Sequence, residues 1–340
     1  MFSNFQVDYE SLYTCQTKLL ECQFEIKQLL GTLPKISFES DEETLKDNLV
    51  GCLSCSFPNT YFLIKSSGTH EIHASTSLSR MQYLKNQDKI VITDSTNKCL
   101  KIVDINNGLL IQSAFKSPGE SENLFKHPFS ICVDSKKNEI FVSDIELSKV
   151  FIFNQNLELL RTFCDSIIKI PTSISLDDKS NLYIGDYTNN LISVWESENF
   201  DFVEKIEIDS PAYVELSEKH IFVLNTSLCN FEETRKPLNC IFIIDKASPN
   251  EILQTIKVEN WKNPYGLILK NDYIITVSNE TSRYSSVSNC DNLYLYVFNK
   301  YGYCVQKTKL NQHEPINDLL IVDGTMFICF KNFVKIFSIQ

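Results

Sequence analysis

The chain has 340 residues, of which 43% are hydrophobic and 11% aromatic, and its formal net charge is −11. This length and composition suit a globular protein with a large core. The negative charge disfavours non-specific attraction to nucleic-acid backbones and anionic membranes. The sequence contains no apolar run of about 18 residues, and its first residues lack the basic and apolar regions of a secretory signal. We therefore predict a cytoplasmic protein.

Residues 8–30 have the hydrophobic spacing of an amphipathic helix. Apolar residues recur at steps of three and four, which is typical of a coiled-coil seam: Leu12, Cys15, Leu19, Cys22, Ile26 and Leu29. Gly31 and Pro34 end the pattern. We predict a helical segment over residues 1–33 that forms a homo- or hetero-dimer through this seam, with intramolecular packing as the alternative. Residues 34–60 are predicted to be a linker that contains a short helix.

From residue 61 onward the pattern changes to short strands. Residues 122–163 contain four apolar runs, rich in β-branched and aromatic residues, that are separated by polar turns: 129–133, 140–142, 150–153 and 157–163. Four antiparallel strands in about 40 residues are typical of one blade of a β-propeller.

The same unit recurs along the chain. A proline opens five copies: Pro128, Pro171, Pro211, Pro264 and Pro315. A polar residue closes the second strand of five copies: Asp94, Asp144, Asp186, Asn225 and Asn279. Six segments align as third strands, so the sequence predicts an all-β, six-bladed propeller over residues 61–340. The last copy lacks a fourth strand, and we predict that residues 69–75 supply it and close the ring.

These repeats resemble the NHL repeat. Asp94 and Asp186 are each followed three residues later by an asparagine, Asn97 and Asn189. In the second copy, Phe125, Pro128 and Ile131 lie at steps of three. The resemblance implies an NHL-type propeller, and the helix before it is similar to the end of the coiled coil in tripartite-motif NHL proteins. These residues include no RING or B-box sequence, so a ubiquitin-ligase role would require a RING from another chain or from a longer product.

The connections that leave the second and fourth strands are predicted to emerge on one face, which we call the loop face. Aromatic and basic residues in these connections have the composition of a protein-binding surface: Lys126, His127, Phe231, Arg235, Lys236, Trp261, Lys262, Arg283 and Tyr284. For Trp261, as for Phe125, we favour packing between blades over exposure on this surface. We predict a non-catalytic protein-recognition module. RNA binding is an alternative, but seven basic against ten acidic residues in these connections disfavour it.

Two chemical alternatives concern metals and catalysis. The pairs Cys52/Cys55 and His70/His73 have spacings close to those of a zinc site, but the two histidines would point to opposite faces of a strand. Six-bladed propellers also include calcium-dependent hydrolases, which need several oxygen ligands around the central channel. The predicted channel residues offer one adjacent pair of such ligands, namely Asn317 and Asp318, besides Ser130, Ser173, Tyr213 and Gly266. We therefore predict no catalytic site, metal or cofactor.

Overall fold

The computed structural model describes residues 64–65, 72–73, 78–85, 87–105, 110–114, 124–226, 238–258, 261, 263–279, 293–310, 316–330 and 333–339. These residues belong to the compact unit Ser54–Gln340. The predicted N-terminal helix, its six seam residues and the segment 34–60 lie outside the described residues.

The described residues form six antiparallel sheets, which we number as blades in chain order. Blade 1 contains β3 (Leu78–Leu84), β4 (Lys89–Asp94), β5 (Cys99–Asp104) and β6 (Leu110–Ala114). Blade 2 contains β7 (Pro128–Asp134), β8 (Glu139–Asp144), β9 (Lys149–Asn154) and β10 (Leu159–Phe163). Blade 3 contains β11 (Pro171–Leu176), β12 (Asn181–Asp186), β13 (Leu191–Glu196) and β14 (Phe202–Glu207).

The remaining three sheets follow the same order. Blade 4 contains β15 (Pro211–Leu216), β16 (His220–Asn225), β17 (Cys240–Asp245) and β18 (Ile252–Lys257). Blade 5 contains β19 (Pro264–Lys270), β20 (Tyr273–Asn279), β21 (Leu293–Asn299) and β22 (Cys304–Leu310). Blade 6 contains β23 (Ile316–Val322), β24 (Thr325–Phe330) and β25 (Phe333–Ile339). The prediction of an all-β, six-bladed propeller is confirmed.

Two short strands that precede blade 1 in the chain pair with the last strand, β25. β2 (Ile72–His73) pairs antiparallel with the start of β25, through Val334 and Phe333. β1 (Ile64–Lys65) pairs with the end of the same strand, through Ile339 and Ser338. Two short segments therefore serve as the fourth strand of blade 6. The predicted range 69–75 contains the second of them but not the first.

The burial of the strands explains why the sequence pattern differs between positions in a blade. The second strand β8 (EIFVSD) is buried at its last five positions, because neighbouring blades cover both of its faces. The outer strand β10 (LLRTF) alternates between half-buried and exposed residues before it ends on buried Phe163. Continuous apolar runs therefore mark inner positions, and alternation marks the rim.

A buried apolar residue lies three positions before four of the prolines that open a blade: Phe125, Ile168, Ile208 and Trp261. The Phe125 ring lies 5.0 Å from that of Phe151 on the third strand of its blade. Trp261 is 5% exposed, and its ring lies 5.5 Å from that of Phe298. The core alternative for both residues is thus confirmed, and Trp261 does not belong to an exposed binding surface.

Several cysteines of the strands occupy core positions. Cys132, Cys240 and Cys329 are buried free thiols. Burial raises the pKa of each of them, for Cys240 to about 12. They are thus protonated packing residues at neutral pH. Among the described residues, no helix is long and apolar enough to cross a membrane.

Candidate functional site

In blades 1 to 4, the polar residue that ends the second strand ties the adjoining loops of the loop face to the blade. In blade 2, the fully buried Asp144 carboxylate accepts hydrogen bonds from the backbone N–H groups of Lys126 and His127, at 2.8 and 2.9 Å. It also accepts from Glu146 and Leu147, at 3.0 and 2.9 Å. One carboxylate therefore fixes two separate connections, the one that enters the blade and the one that links its second and third strands.

Blade 3 repeats this arrangement and explains the Asp-x-x-Asn spacing. Asp186 accepts from the backbone of Lys169 and Ile170, at 2.6 and 3.3 Å. Its partner Asn189 donates to it from both the backbone and the side-chain amide, each at 3.1 Å. The asparagine thus closes a local turn on the aspartate.

Blade 1 and blade 4 vary the arrangement. In blade 1, Asn97 donates to Asp94 in the same two ways, and the Lys101 ammonium also contacts that carboxylate. In blade 4, Asn225 replaces the aspartate: its oxygen accepts from the Leu238 N–H at 2.6 Å, and its amide nitrogen donates to the Asp209 carbonyl at 2.7 Å. The amide is needed here because the incoming connection presents an acceptor instead of N–H donors.

Two of the predicted partner-binding residues are described on this face. Lys126 has a side chain that is 56% exposed, and its only ion pair among the described residues is a long one of 3.8 Å with Glu146. His127 is half-buried, and burial, assisted by the charge of Lys98, lowers its pKa against the opposing effect of Asp144 and Glu146. Phe231, Arg235, Lys236, Lys262, Arg283 and Tyr284 lie outside the described residues.

The described part of the loop face carries no excess of positive charge. Three lysines in its connections, Lys98, Lys126 and Lys169, are exposed. Three acidic residues accompany them, Glu146, Asp165 and Asp209. An exposed apolar side chain, Leu238 at 47%, borders the segment that contains Phe231.

The central channel is the second candidate site, and the third residue of each inner strand defines it. These residues are Arg80, Ser130, Ser173, Tyr213, Gly266 and Asp318. All of them except Gly266, which has no side chain, line the channel cavity. A shift in strand register occurs at the start of every inner strand, next to these positions. Such bulges re-aim side chains. Five of the six positions agree with the channel residues predicted from the sequence.

Three of the third residues link neighbouring blades. The Ser130 hydroxyl accepts from the Ile174 N–H at 3.1 Å, and the Ser173 hydroxyl accepts from the Val214 N–H at 2.9 Å. Asp318 accepts from the Met81 N–H at 2.8 Å, across the junction between blade 6 and blade 1. At Gly266 the backbone φ is +64°, and an added Cβ would lie 2.9 Å from the Leu319 Cβ of the next blade.

Arg80, which sequence reasoning missed, spans the channel. Its guanidinium donates to the Ala212 carbonyl at 2.9 Å and lies 3.3 Å from the centre of the Tyr213 ring. Its Nη1 lies 3.7 Å from the Asp318 carboxylate. The first copy lacks the proline that marks the inner strands, but Arg80 lies 14 residues before Asp94, as Ser130 lies 14 residues before Asp144. This spacing would have located it.

Two channel carboxyl groups accompany this one guanidinium. Burial raises the pKa of Asp318 to about 6, although Arg80 acts in the opposite direction. Burial and the nearby Asp318 raise the pKa of Glu215 to about 8, although Arg80 acts in the opposite direction here too. Glu215 is the fifth residue of β15 and was also missed, because it lies beyond the strand starts that the proline spacing assigns to the channel.

The channel does not have the ligand set of a calcium site. Calcium binds six to eight oxygen atoms, several of them from carboxylates. Here the Arg80 guanidinium lies among the oxygen atoms, and the serine hydroxyls already accept backbone hydrogen bonds. The described residues contain no group of three or more histidine, cysteine, aspartate or glutamate side chains arranged for a metal. Of the zinc alternative, Cys52, Cys55 and His70 lie outside the described residues.

Comparison with known proteins supports the fold and does not identify a family. No protein-family model matches the chain, and no curated protein matches it. The NHL resemblance is therefore not confirmed. A solved structure of Kuenenia stuttgartiensis hydrazine synthase is similar over 77% of this chain and 76% of the hydrazine synthase chain, with a TM-score of 0.56 and 12% identity. A structure of U3-55K is similar over 78% of this chain and 96% of the U3-55K chain, with a TM-score of 0.55 and 12% identity. At this identity the likeness concerns the fold alone.

Proposed function

We propose that the propeller is a non-catalytic recognition module that binds a protein partner through its loop face. The observation that carries this proposal is the anchoring of the loops. In blades 2 and 3, one buried carboxylate each fixes the backbone of two adjacent connections. Loops that are ordered before binding lose less conformational entropy on binding.

The chemistry of the loop face favours a protein over a nucleic acid. Its described connections balance three lysines with three acidic residues, so no electropositive field gathers phosphates. Exposed Leu238 extends the aromatic and basic set proposed from the sequence, namely Phe231, Arg235, Lys236, Lys262, Arg283 and Tyr284. Aromatic side chains and arginine are the residue types enriched in protein-binding hot spots. Lys126 and His127 complete the proposed surface.

The setting of this module remains a prediction. The NHL resemblance implies a part that recruits substrates for a ubiquitin ligase, with dimerisation through residues 1–33. Both proposals depend on the sequence pattern alone.

Site-specific photo-crosslinking in cells tests the proposal. A photoreactive amino acid is placed at Leu238 or Lys126 on the loop face, and at exposed Lys219 in the turn on the opposite face as the matched control. We expect discrete protein adducts from the loop-face positions, absent from Lys219 and weakened by Arg235→Glu with Lys236→Glu. Adducts to RNA from the same positions would favour the RNA alternative. Equal adducts from both faces, or none from the loop face, would refute recognition by this surface.

A further inference from the structure

The central channel contains a cavity of about 170 Å³ that is separate from the loop face. This volume is comparable to a cavity of about 150 Å³ that accommodates benzene. The cavity wall is formed by all six inner strands. It combines charged and hydroxyl groups with a smaller apolar part, to which the half-buried Ile268 and Leu320 contribute. A ligand of a few heavy atoms fits such a space.

The charges in the cavity do not balance when all three groups are ionised. Arg80 is matched by Asp318, and its guanidinium also donates to the Ala212 carbonyl and stacks on Tyr213. These contacts leave the guanidinium little capacity to bind an anionic ligand. Glu215 lines the same cavity, and no described residue donates a hydrogen bond to its carboxyl group. Ionised Glu215 therefore has no cation of its own, because the nearby Arg80 is already matched by Asp318.

From this arrangement we propose that the cavity binds a short alkylammonium ligand, whose ammonium group pairs with Glu215 and whose chain packs on the apolar wall. An ammonium supplies the hydrogen-bond donors and the charge that Glu215 lacks. The alkyl chain contacts Ile268 and Leu320, which lie two residues beyond Gly266 and Asp318 on the channel side of their strands. This site is independent of the loop face, and its ligand requires no contact with the protein partner.

Binding is coupled to proton release. The other polar and charged groups that line the cavity are Arg80 and Gln82 on β3, Ser130 on β7, Ser173 on β11, Tyr213 on β15 and Asp318 on β23. The Cys132 thiol on β7 also lies near Glu215, and the lining from β19 is apolar. Because burial and Asp318 raise the pKa of Glu215 to about 8, the empty cavity holds it mostly protonated at neutral pH. An ammonium ligand favours the ionised form, so its binding releases about one proton at pH 7.

Isothermal titration of the full chain with butylammonium tests the proposal. Titrations at pH 6.5, 7.5 and 8.5, in two buffers of different ionisation enthalpy, report the affinity and the number of protons released. We expect the affinity to rise nearly tenfold per pH unit below pH 8. 1-Butanol, which has the same chain without the charge, is expected to bind at least tenfold more weakly.

Two variants complete the test. Glu215→Gln should lower the affinity for butylammonium at least tenfold and abolish proton release, without affecting folding. Glu218→Gln, an exposed residue of the following turn, should change neither quantity. The proposal is overturned if butylammonium does not bind, if 1-butanol binds equally well, or if Glu215→Gln leaves the affinity and proton release unchanged. Loss of loop-face crosslinks alone would affect the protein-binding proposal and leave this one standing.

Discussion

The reciprocal exchange of Asp144 and Asn225 tests the anchoring of the loop face. Asp144 accepts four backbone hydrogen bonds, two at each oxygen. In Asp144→Asn, the amide nitrogen faces two N–H donors whichever way the side chain is turned. In either orientation one of these donors belongs to an exposed residue that water reaches, and the other to a half-buried one. A lost hydrogen bond to a charged group costs about 1.5–3 kcal/mol. Because two bonds are lost and water partly replaces one of them, we expect the free energy of unfolding to fall by about 2–4 kcal/mol.

The converse substitution fails for the opposite reason. In Asn225→Asp, a carboxylate oxygen faces the Asp209 carbonyl, which now receives a hydrogen bond of 2.7 Å. The lost bond and the repulsion between two acceptors cost about 1–3 kcal/mol. Both residues therefore fit their own blade and not the other.

Equilibrium unfolding in urea, followed by the fluorescence of the buried Trp195 and Trp261, measures these changes. Hydrogen exchange shows whether the loosening is confined to the anchored connections. The control is Glu146→Gln, whose side chain is 56% exposed and makes one long ion pair, and which should stay within about 0.5 kcal/mol of the wild type. A free energy of unfolding for Asp144→Asn within the same margin would refute the anchoring argument.

Three further substitutions address the core, the channel backbone and the channel charges. Phe125→Ala should lower the free energy of unfolding by about 3–5 kcal/mol, since Phe125 is 1% exposed. The matched control, Lys126→Ala, should change it by less than about 0.5 kcal/mol. Equal effects of the two substitutions in urea titrations would contradict the packing of Phe125. Gly266→Ala should cost about 1–3 kcal/mol, because alanine is strained at φ +64° and its Cβ meets Leu319; an unchanged Tm would disprove this. Finally, the pKa of Glu215 is raised from 4.5 to about 8 in the folded protein, so the folded state holds this proton more tightly than the unfolded state. The resulting stabilisation is fully present below about pH 4.5 and is lost as the pH rises to 8. The free energy of unfolding should fall by on the order of 3–5 kcal/mol over this range, Glu215→Gln should remove most of the slope, and an identical slope in thermal melts of that variant would refute the placement.

Much of the propeller was predictable because its signals are local. The period of the blades is set by turn residues, by prolines at strand starts and by polar residues at the ends of second strands, such as Asp144 and Asp186. The polar residues contact parts of the chain that lie within about 20 residues of them. Asp144 accepts a hydrogen bond from the Lys126 N–H, and Asp186 accepts one from the Lys169 N–H. The Asp-x-x-Asn spacing reports a turn that both residues form together.

The candidate sites were predictable only in part. Counting from the prolines located Ser130, Ser173 and Tyr213 at the channel, because the position in an inner strand determines which side chains face it. The same counting missed Arg80, since the first blade opens without a proline. Trp261 has the composition of a hot spot but is buried, because its position three residues before Pro264 places it between strands.

By itself, the sequence determined the number of blades, the order of strands and the residues that anchor the turns, since these depend on contacts between near neighbours in the chain. Closure of the ring decided the chemistry of the channel. Arg80 reaches the Ala212 carbonyl, 132 residues away, and the Met81 N–H reaches Asp318, 237 residues away. Such partners meet only when six blades complete a circle, because each inner strand presents its side chains to strands from other repeats. The excess carboxyl of Glu215 is therefore a property of the assembled ring that no single repeat encodes.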